Sequence, residues 1–216
     1  MTRKNFFVAI EMPSPISDRA WEVHRQLANI DSQIKTLKSP PHITLLPPFP
    51  WETEHLPKLQ ASLRTFAASQ SPFAIALDGF GGFKPKVVYI KVVENPNLEQ
   101  LYRNLVSHVE TDLDFLPKPL QKQSSSKSNQ ATARPNPSPP PSDVTSEAKA
   151  QKSKKRPFRP HITLAKRLNK PRYRQLMKTL KEQNFQFEFT ATHLTLFAYE
   201  EHRWQVSEWF PLAASS

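Results

Sequence analysis

Cysteine is absent from the 216 residues of the chain, and glycine occurs only three times. The absence of cysteine excludes disulfides, thiolate nucleophiles and cysteine-ligated zinc sites. The glycines all fall within residues 79–82, without the spacing of a phosphate-binding loop. No apolar run approaches the length of a membrane span, and residues 6–10 are too short for the core of a signal peptide. We therefore expect a soluble, cytoplasmic protein without a membrane partner.

Basic residues exceed acidic ones, and the formal net charge is +11. Such a charge favours polyanionic partners. Residues 118–157 contribute much of it, with nine basic and two acidic side chains. This segment is rich in Pro, Ser, Lys and Gln and has few large apolar side chains, so burial cannot offset the entropy cost of ordering it. We predict that 118–157 is a disordered insertion in an otherwise mildly basic chain.

One five-residue sequence occurs twice, because residues 41–45 and 160–164 both read PHITL. An identical repeat of this length indicates an internal duplication. The alternation of Ile and Leu with His and Thr predicts a strand, in which alternate side chains share a face. Each copy would then bury its aliphatic side chains and present an imidazole beside a hydroxyl.

Two facing copies of this motif could act on one phosphorus atom. Histidine has an ordinary pKa near neutrality, so one imidazole can accept a proton while the other donates one. A threonine hydroxyl can donate a hydrogen bond to a phosphate oxygen. We predict that His42 and His161 are catalytic and that Thr44 and Thr163 bind phosphate oxygens, in an in-line displacement that requires no metal and no cofactor.

The remaining histidines do not predict a metal site. No pair of them has the i, i+4 helical spacing of metal ligands with a carboxylate alongside. We expect structural roles for the histidines on predicted helices and near the ends of elements, which are His24, His55, His108, His193 and His202.

The order of predicted elements is duplicated as well. Strand, helix, histidine strand, helix and strand occur in the first half and again from Val87. His161 lies 72 positions after Tyr89, whereas His42 lies 34 positions after Val8, and the predicted insertion is about as long as the difference. We therefore expect one α+β domain over residues 1–216. It would be bilobal, with two pseudo-twofold-related lobes of antiparallel sheet, helices on the outside, and both His-x-Thr strands lining the central cleft.

Local signals give four further expectations. Pro47 and Pro48 should close the first histidine strand, and the glycine-containing residues 78–83 should form a turn. Ser14 or Ser17 should cap the first helix. The second helix should span residues 52–68.

The two motifs and their spacing resemble those of the 2H phosphoesterase superfamily, in the bacterial and archaeal branch called 2′-5′ RNA ligase or RNA 2′,3′-cyclic phosphodiesterase. Residues 157–166 are similar to the second motif of that family. Residues 79–93 resemble its Gly-Phe-bearing stretch before a valine-rich strand. The insertion departs from the family pattern. Lys166 stands where relatives often have arginine, and strand alternation predicts that it points away from the His161 face.

The resemblance implies a bilobal fold and metal-independent hydrolysis of a 2′,3′-cyclic phosphate to a 2′-phosphate, on RNA ends or nucleotides. It also implies that RNA ends can be joined through a 2′-5′ bond. By position, His42 and His161 would be the acid and base, and Thr44 and Thr163 would hold the phosphate.

Two other functions are compatible with the sequence. The same cleft could bind RNA or nucleotides without turnover, with Phe49, Trp51, Phe80 or Phe83 stacking on a base, although each is also a candidate core residue. The lysine-rich insertion could instead tether RNA electrostatically. We expect a monomer in each case.

Overall fold

The computed structural model describes residues 2–35, 37–117, 120 and 157–213. The helices and strands have these bounds: β1 Arg3–Glu11, α1 Ile16–Ile30, β2 His42–Glu52, a 3₁₀ helix at Thr53–His55, α2 Leu56–Ala68, β3 Phe73–Phe83, β4 Val87–Val92, α3 Pro96–Asp112, β5 His161–Lys166, α4 Lys170–Lys181, β6 Gln186–Ala191, β7 His193–Glu200 and β8 Arg203–Pro211. The predicted insertion at 118–157 lies almost entirely outside the described residues.

The strands form two four-stranded sheets, with the order β2-β1-β7-β8 in the first sheet and β5-β4-β3-β6 in the second sheet. Every pairing is antiparallel. The two orders correspond when β1 and β2 are matched with β4 and β5, which confirms the predicted α+β fold of two related lobes. Each sheet contains strands from both halves of the sequence, since β7 and β8 return to the first sheet and β3 joins the second.

A single large cluster of buried side chains contains residues from both sheets and all four helices. Leu27, Leu63, Leu105 and Leu176, one from each helix, are fully buried in it. Burial of one such side chain is worth about 1.5–3 kcal/mol. The helices thereby cover one face of each sheet, and the histidine motifs lie on the other face.

Strand β2 does not end at Pro47 and Pro48, so that prediction is wrong. The strand continues to Glu52, and Asn5, Lys4 and Arg3 of β1 pair with residues 50–52. Proline has no backbone N–H to donate to a neighbouring strand. Because β2 is an edge strand, its prolines can face the unpaired side, where no hydrogen bond between strands is lost. The continuation shortens the predicted second helix, and α2 begins at Leu56.

The glycine-containing stretch 78–83 is part of β3 and not a turn, which corrects a second prediction. Its pairing with β4 shifts between Leu77 and Phe80, and Gly79 lies inside this bulge with φ +65°. Glycine adopts that backbone conformation without the steric strain that a Cβ introduces. The turn comes later, where the Lys86 N–H donates to the Phe83 carbonyl at 2.8 Å.

The first helix also begins differently from the prediction. Helix α1 starts at Ile16 after Pro15, with no side-chain cap, and the Ser14 hydroxyl bonds the Asp18 carboxylate instead. Helices α3 and α4 have the side-chain caps that α1 lacks, from Asn95 and Asn169. Within the described part of the chain, no helix is both long and apolar enough to cross a membrane.

Candidate active site

The two PHITL copies lie at the edges of the two sheets, in β2 and β5, and these strands contact each other. In both copies the isoleucine and leucine are buried, while His42, Thr44, His161 and Thr163 remain half-buried. The strand alternation predicted from the sequence therefore holds across each His-x-Thr segment. It places two imidazoles and two hydroxyls on the uncovered sheet faces.

Each imidazole is held by the same local hydrogen bond. His42 Nδ1 lies 2.7 Å from the Pro40 carbonyl, and His161 Nδ1 lies 2.7 Å from the Arg159 carbonyl. A carbonyl oxygen only accepts, so Nδ1 carries the hydrogen in both rings. In the neutral state Nε2 of each histidine is then an unprotonated acceptor, available to a ligand.

Aromatic rings pack around both histidines. The His42 ring lies 4.7 Å from the ring of Phe7 and 5.8 Å from that of Phe197. The His161 ring lies 4.9 Å from Phe83 and 5.2 Å from Tyr89. Rings packed on several sides restrict rotation of the imidazoles and remove water from them. Both effects favour a fixed, neutral histidine.

The pKa of His42 is lowered from 6.5 to about 4, mainly by burial and also by positive charge on His161 and Lys166, while the hydrogen bond to the Pro40 carbonyl opposes the shift. Burial also lowers the pKa of His161, again opposed by its backbone hydrogen bond. The effect of His161 on His42 shows that the two imidazoles interact. Both are neutral at pH 7, and a single proton added to the pair favours His161.

Lys166 faces the site, so the prediction that it points away is wrong. Val88 pairs with Ala165 but Tyr89 pairs with Thr163, so β5 contains one extra residue at this point. This β-bulge reverses the alternation of the residues that follow it. Ala165 is buried and Lys166 is exposed, and the positive charge of Lys166 lowers the pKa of His42.

A corresponding shift occurs in β2, where Ala9 pairs with Thr44 and Val8 with Leu46. The bulge after His-x-Thr is therefore part of the duplicated structure. On β5 the carbonyl of Leu164, inside the bulge, accepts a hydrogen bond of 2.8 Å from Nδ1 of the buried His24. His24 thus has a structural role.

We expect the substitution Lys166→Met to raise the pKa of His42 above about 4, because it removes a positive charge that disfavours the imidazolium. Titration of the imidazole resonances by NMR measures this directly. Lys58→Met, an equal loss of charge at an exposed position of α2, should leave that pKa unchanged. An unchanged His42 pKa in Lys166→Met would contradict the placement of Lys166.

The hydroxyls of Thr44 and Thr163 make no side-chain hydrogen bond within the described residues. Each lies two residues beyond its histidine on the same face, with the same backbone register. The two hydroxyls can therefore donate to a group held between His42 and His161.

Three of the four candidate base-stacking aromatics lie elsewhere. Phe49 is buried, the Trp51 ring packs on Phe115, and the Phe80 ring packs on Phe185. Only Phe83 reaches the site, through its contact with His161.

The sequence patterns did not point to Glu11 and Trp209, which lie on the uncovered face of the first sheet. Trp209 is 57% exposed, and its Nε1–H donates to the Glu11 carboxylate at 3.2 Å. Glu11 pairs directly with His42. The sequence does indicate an exposed aromatic ring here, because Trp209 and Phe210 are consecutive in a strand and only one of them can face the core.

Within the part of the chain that the structure describes, neither His42 nor His161 belongs to a group of possible metal ligands. Among the described residues, one group of possible ligands comes within 4.8 Å of one another, at Glu52, Glu54 and His55. It lies at the far end of β2 from His42, and Arg3 already binds the Glu52 carboxylate at 2.9 Å.

Comparison with known proteins identifies relatives across most of the chain. The model of the 2′-5′ RNA ligase superfamily matches residues 13–203. A Geobacillus kaustophilus protein named "Putative phosphoesterase" is 30% identical over 175 residues, covering 79% of this chain and 78% of the relative. A Bacillus cytotoxicus protein of the same description is 28% identical over 181 residues, covering 82% and 81%.

Solved structures share the fold. The apo form of LigT from E. coli is similar with a TM-score of 0.60 at 18% identity, covering 99% of each chain. TT0787 of Thermus thermophilus is similar with a TM-score of 0.58 at 19% identity, covering 98% of this chain and all of that one. Likeness at this level of identity shows the fold alone.

Proposed function

The chain belongs to the 2′-5′ RNA ligase superfamily of 2H phosphoesterases, and we propose that it hydrolyses 2′,3′-cyclic phosphates on RNA ends or nucleotides to 2′-phosphates. The observation that carries the proposal is the matched pair of imidazoles. Each has its Nδ1–H bound to a backbone carbonyl and its Nε2 free, beside a threonine hydroxyl on the same face. In such a pair the neutral imidazole can accept a proton at Nε2, and the other imidazole, when protonated, can donate one from Nε2.

We assign the base role to His42 and the acid role to His161. Burial, Lys166 and charge on His161 all disfavour a proton on His42, so the proton of a singly protonated pair resides on His161. Nε2 of His42 accepts a proton from water as the water oxygen attacks phosphorus. The P–O3′ bond breaks, and Nε2–H of His161 protonates the leaving O3′. The products are a 2′-phosphate and a 3′-hydroxyl, and solvent restores the two protonation states.

Thr44 and Thr163 would donate hydrogen bonds to the non-bridging phosphate oxygens, whose charge grows in the transition state. Lys166 supplies a positive charge near the same oxygens. The exposed indole of Trp209 offers a ring on which a nucleobase can stack. These residues account for charge stabilisation and positioning with groups that the chain itself provides.

Nucleotide ligands of structural neighbours support this proposal. LigT from E. coli has been solved with 3′-AMP and with ATP, in structures similar to this chain with TM-scores of 0.55 and 0.51. Replacing the attacking water by the 5′-hydroxyl of an RNA gives a 2′-5′ phosphodiester through the same displacement. The site could therefore also join RNA ends.

The proposal is tested by incubating purified protein with the four 2′,3′-cyclic nucleotides and a cyclic-ended RNA, and identifying the products by ³¹P NMR. We expect 2′-phosphates. Formation of 3′-phosphates would contradict the assigned leaving group. Binding without any turnover would favour the alternative of a non-catalytic nucleotide-binding module.

The pH dependence follows from the assigned protonation states. Hydrolysis needs His42 neutral, so kcat/KM should rise as pH increases through the His42 pKa of about 4. It also needs His161 protonated, so kcat/KM should fall as pH passes the His161 pKa, which burial lowers from 6.5. A bell-shaped profile with its maximum on the acid side of neutrality is expected for cyclic nucleotides. An optimum above pH 8 would contradict the account.

A further inference from the structure

A groove of about 740 Å³ lies between helix α4 and the β3–β4 turn, on the helix-covered side of the second sheet. Its apolar lining includes Tyr173, Met177 and Pro85. Among the residues that the structure describes, its charged lining consists of five basic side chains and no acidic one, namely Lys84, Lys170, Arg174, Lys178 and Lys181. It is separate from the face that carries His42 and His161.

The four cations from α4 share one side of the helix, because their spacings are four, four and three residues. Lys84 adds a fifth cation from the turn opposite. Within the described part of the chain, none of the five forms an ion pair with a carboxylate. Arg172, on another side of the same helix, behaves differently and pairs with Asp31 at 3.2 Å.

Helix stability alone does not account for this arrangement. Like charges four residues apart destabilise a helix by roughly 0.2–0.5 kcal/mol per pair. The helix dipole opposes Lys170 at the first residue of α4 and favours Lys178 and Lys181 in its last turn. No acidic side chain among the described lining residues neutralises the cations, so an anionic ligand explains the cluster better than helix stability does.

The groove and the histidine site lie on opposite faces of β3, at the adjacent residues Gly82 and Phe83. Consecutive residues of a strand point to opposite faces. Phe83 contacts the His161 ring, while a Cβ at the neighbouring Gly82 would overlap the Tyr173 ring in the groove floor. A chain leaving His161 reaches the groove by passing around the turn at residues 84–86.

We propose that this groove binds the phosphate backbone of single-stranded RNA a few nucleotides upstream of the end held at the two histidines. The identification of the polyanion as RNA rests on the proposed function. The five cations would contact phosphates without reading sequence. Tyr173 and Met177 give the groove an apolar floor, against which sugars or bases can pack. The protein would therefore bind oligonucleotides more tightly than mononucleotides, with a strong dependence on salt.

The test measures binding of a fluorescein-labelled ten-nucleotide RNA with an ordinary 3′-hydroxyl to the full chain, as a function of salt. In Arg174→Glu/Lys178→Glu we expect the Kd to increase by tenfold or more. The slope of log K against log salt should decrease in magnitude by about 1.4, since each lost phosphate contact on a single strand removes about 0.7. The milder pair Arg174→Gln/Lys178→Gln should change both quantities in the same direction.

The matched control is Arg25→Glu/Lys58→Glu, which makes the same charge change at exposed positions of α1 and α2. All variants keep residues 118–157, so any binding by that segment is common to them. Equal Kd and slope in the groove variants and the control would overturn the proposal. Equal competition by polyglutamate of the same charge would also overturn it, in favour of an acidic protein partner. The measurement involves no turnover, so its failure is distinct from a failure of wild-type protein to hydrolyse cyclic nucleotides.

Discussion

Replacing either His42 or His161 with alanine is expected to lower kcat for a 2′,3′-cyclic nucleotide by about 10²–10⁴-fold, the range of one positioned acid or base. The two residues act in one proton-transfer cycle, so the double substitution should cost little more than the more damaging single one. Steady-state kinetics of the three variants on 2′,3′-cyclic AMP measures both effects.

A matched control is available in His202→Ala, since His202 is exposed in the β7–β8 turn. We expect it to retain wild-type turnover. Circular dichroism of each variant separates loss of chemistry from loss of fold. Wild-type kcat in either His42→Ala or His161→Ala would show that the catalytic assignment is wrong.

The second large effect is expected at the two threonines. Thr44→Val and Thr163→Val keep the side-chain shape but remove a hydroxyl that would donate to a non-bridging oxygen. Removal of one such donor costs about 10²–10³ in kcat. The loss should fall mainly on kcat, because the bond strengthens as charge develops on the phosphate oxygens.

Serine at the same positions restores the hydroxyl, so Thr44→Ser and Thr163→Ser should recover most of the activity lost in the valine variants. Recovery by serine distinguishes the hydroxyl from the packing of the β-branched side chain. If the valine and serine variants turned over at the same rate, the hydroxyls would have no part in the reaction.

The duplicated pentapeptide made the fold and the centre of the candidate site predictable. Alternation within His-Ile-Thr-Leu assigned faces to His42 and His161, and the structure places them on those faces. The repeated element order predicted two related sheets. It could not predict that β7 and β8 would return to the first sheet, because that pairing depends on contacts between residues far apart in sequence.

Departures from simple strand alternation account for the main errors. The bulge in β5 brings Lys166 to the histidine face, although counting residues from His161 places it on the opposite one. Nothing in the letters Leu164-Ala165 indicates an extra residue in the ladder. The bulge depends on the pairing of β5 with β4 and on the hydrogen bond from His24 to Leu164, and both are contacts between residues far apart in sequence.

Proline was predicted to end a strand and glycine to form a turn, but the position of these residues in the sheets determines their structure. Pro47 and Pro48 remain inside a strand because β2 has a free edge. Gly81 lies within β3 against the Tyr89 ring, where a Cβ would come within 2.7 Å of that ring. The glycine is needed for close packing beside the site and not for a turn.

The central claim is that one phosphate is held by both imidazoles together. Titration of ¹⁵N-histidine-labelled protein with 2′-AMP, followed through the Nε2 resonances of His42 and His161, tests it most directly. We predict that both resonances shift with one dissociation constant at one equivalent, and that both pKa values rise, because a bound anion favours the imidazolium. A shift at only one histidine, or two different dissociation constants, would show that the rings do not share a phosphate and would contradict the account.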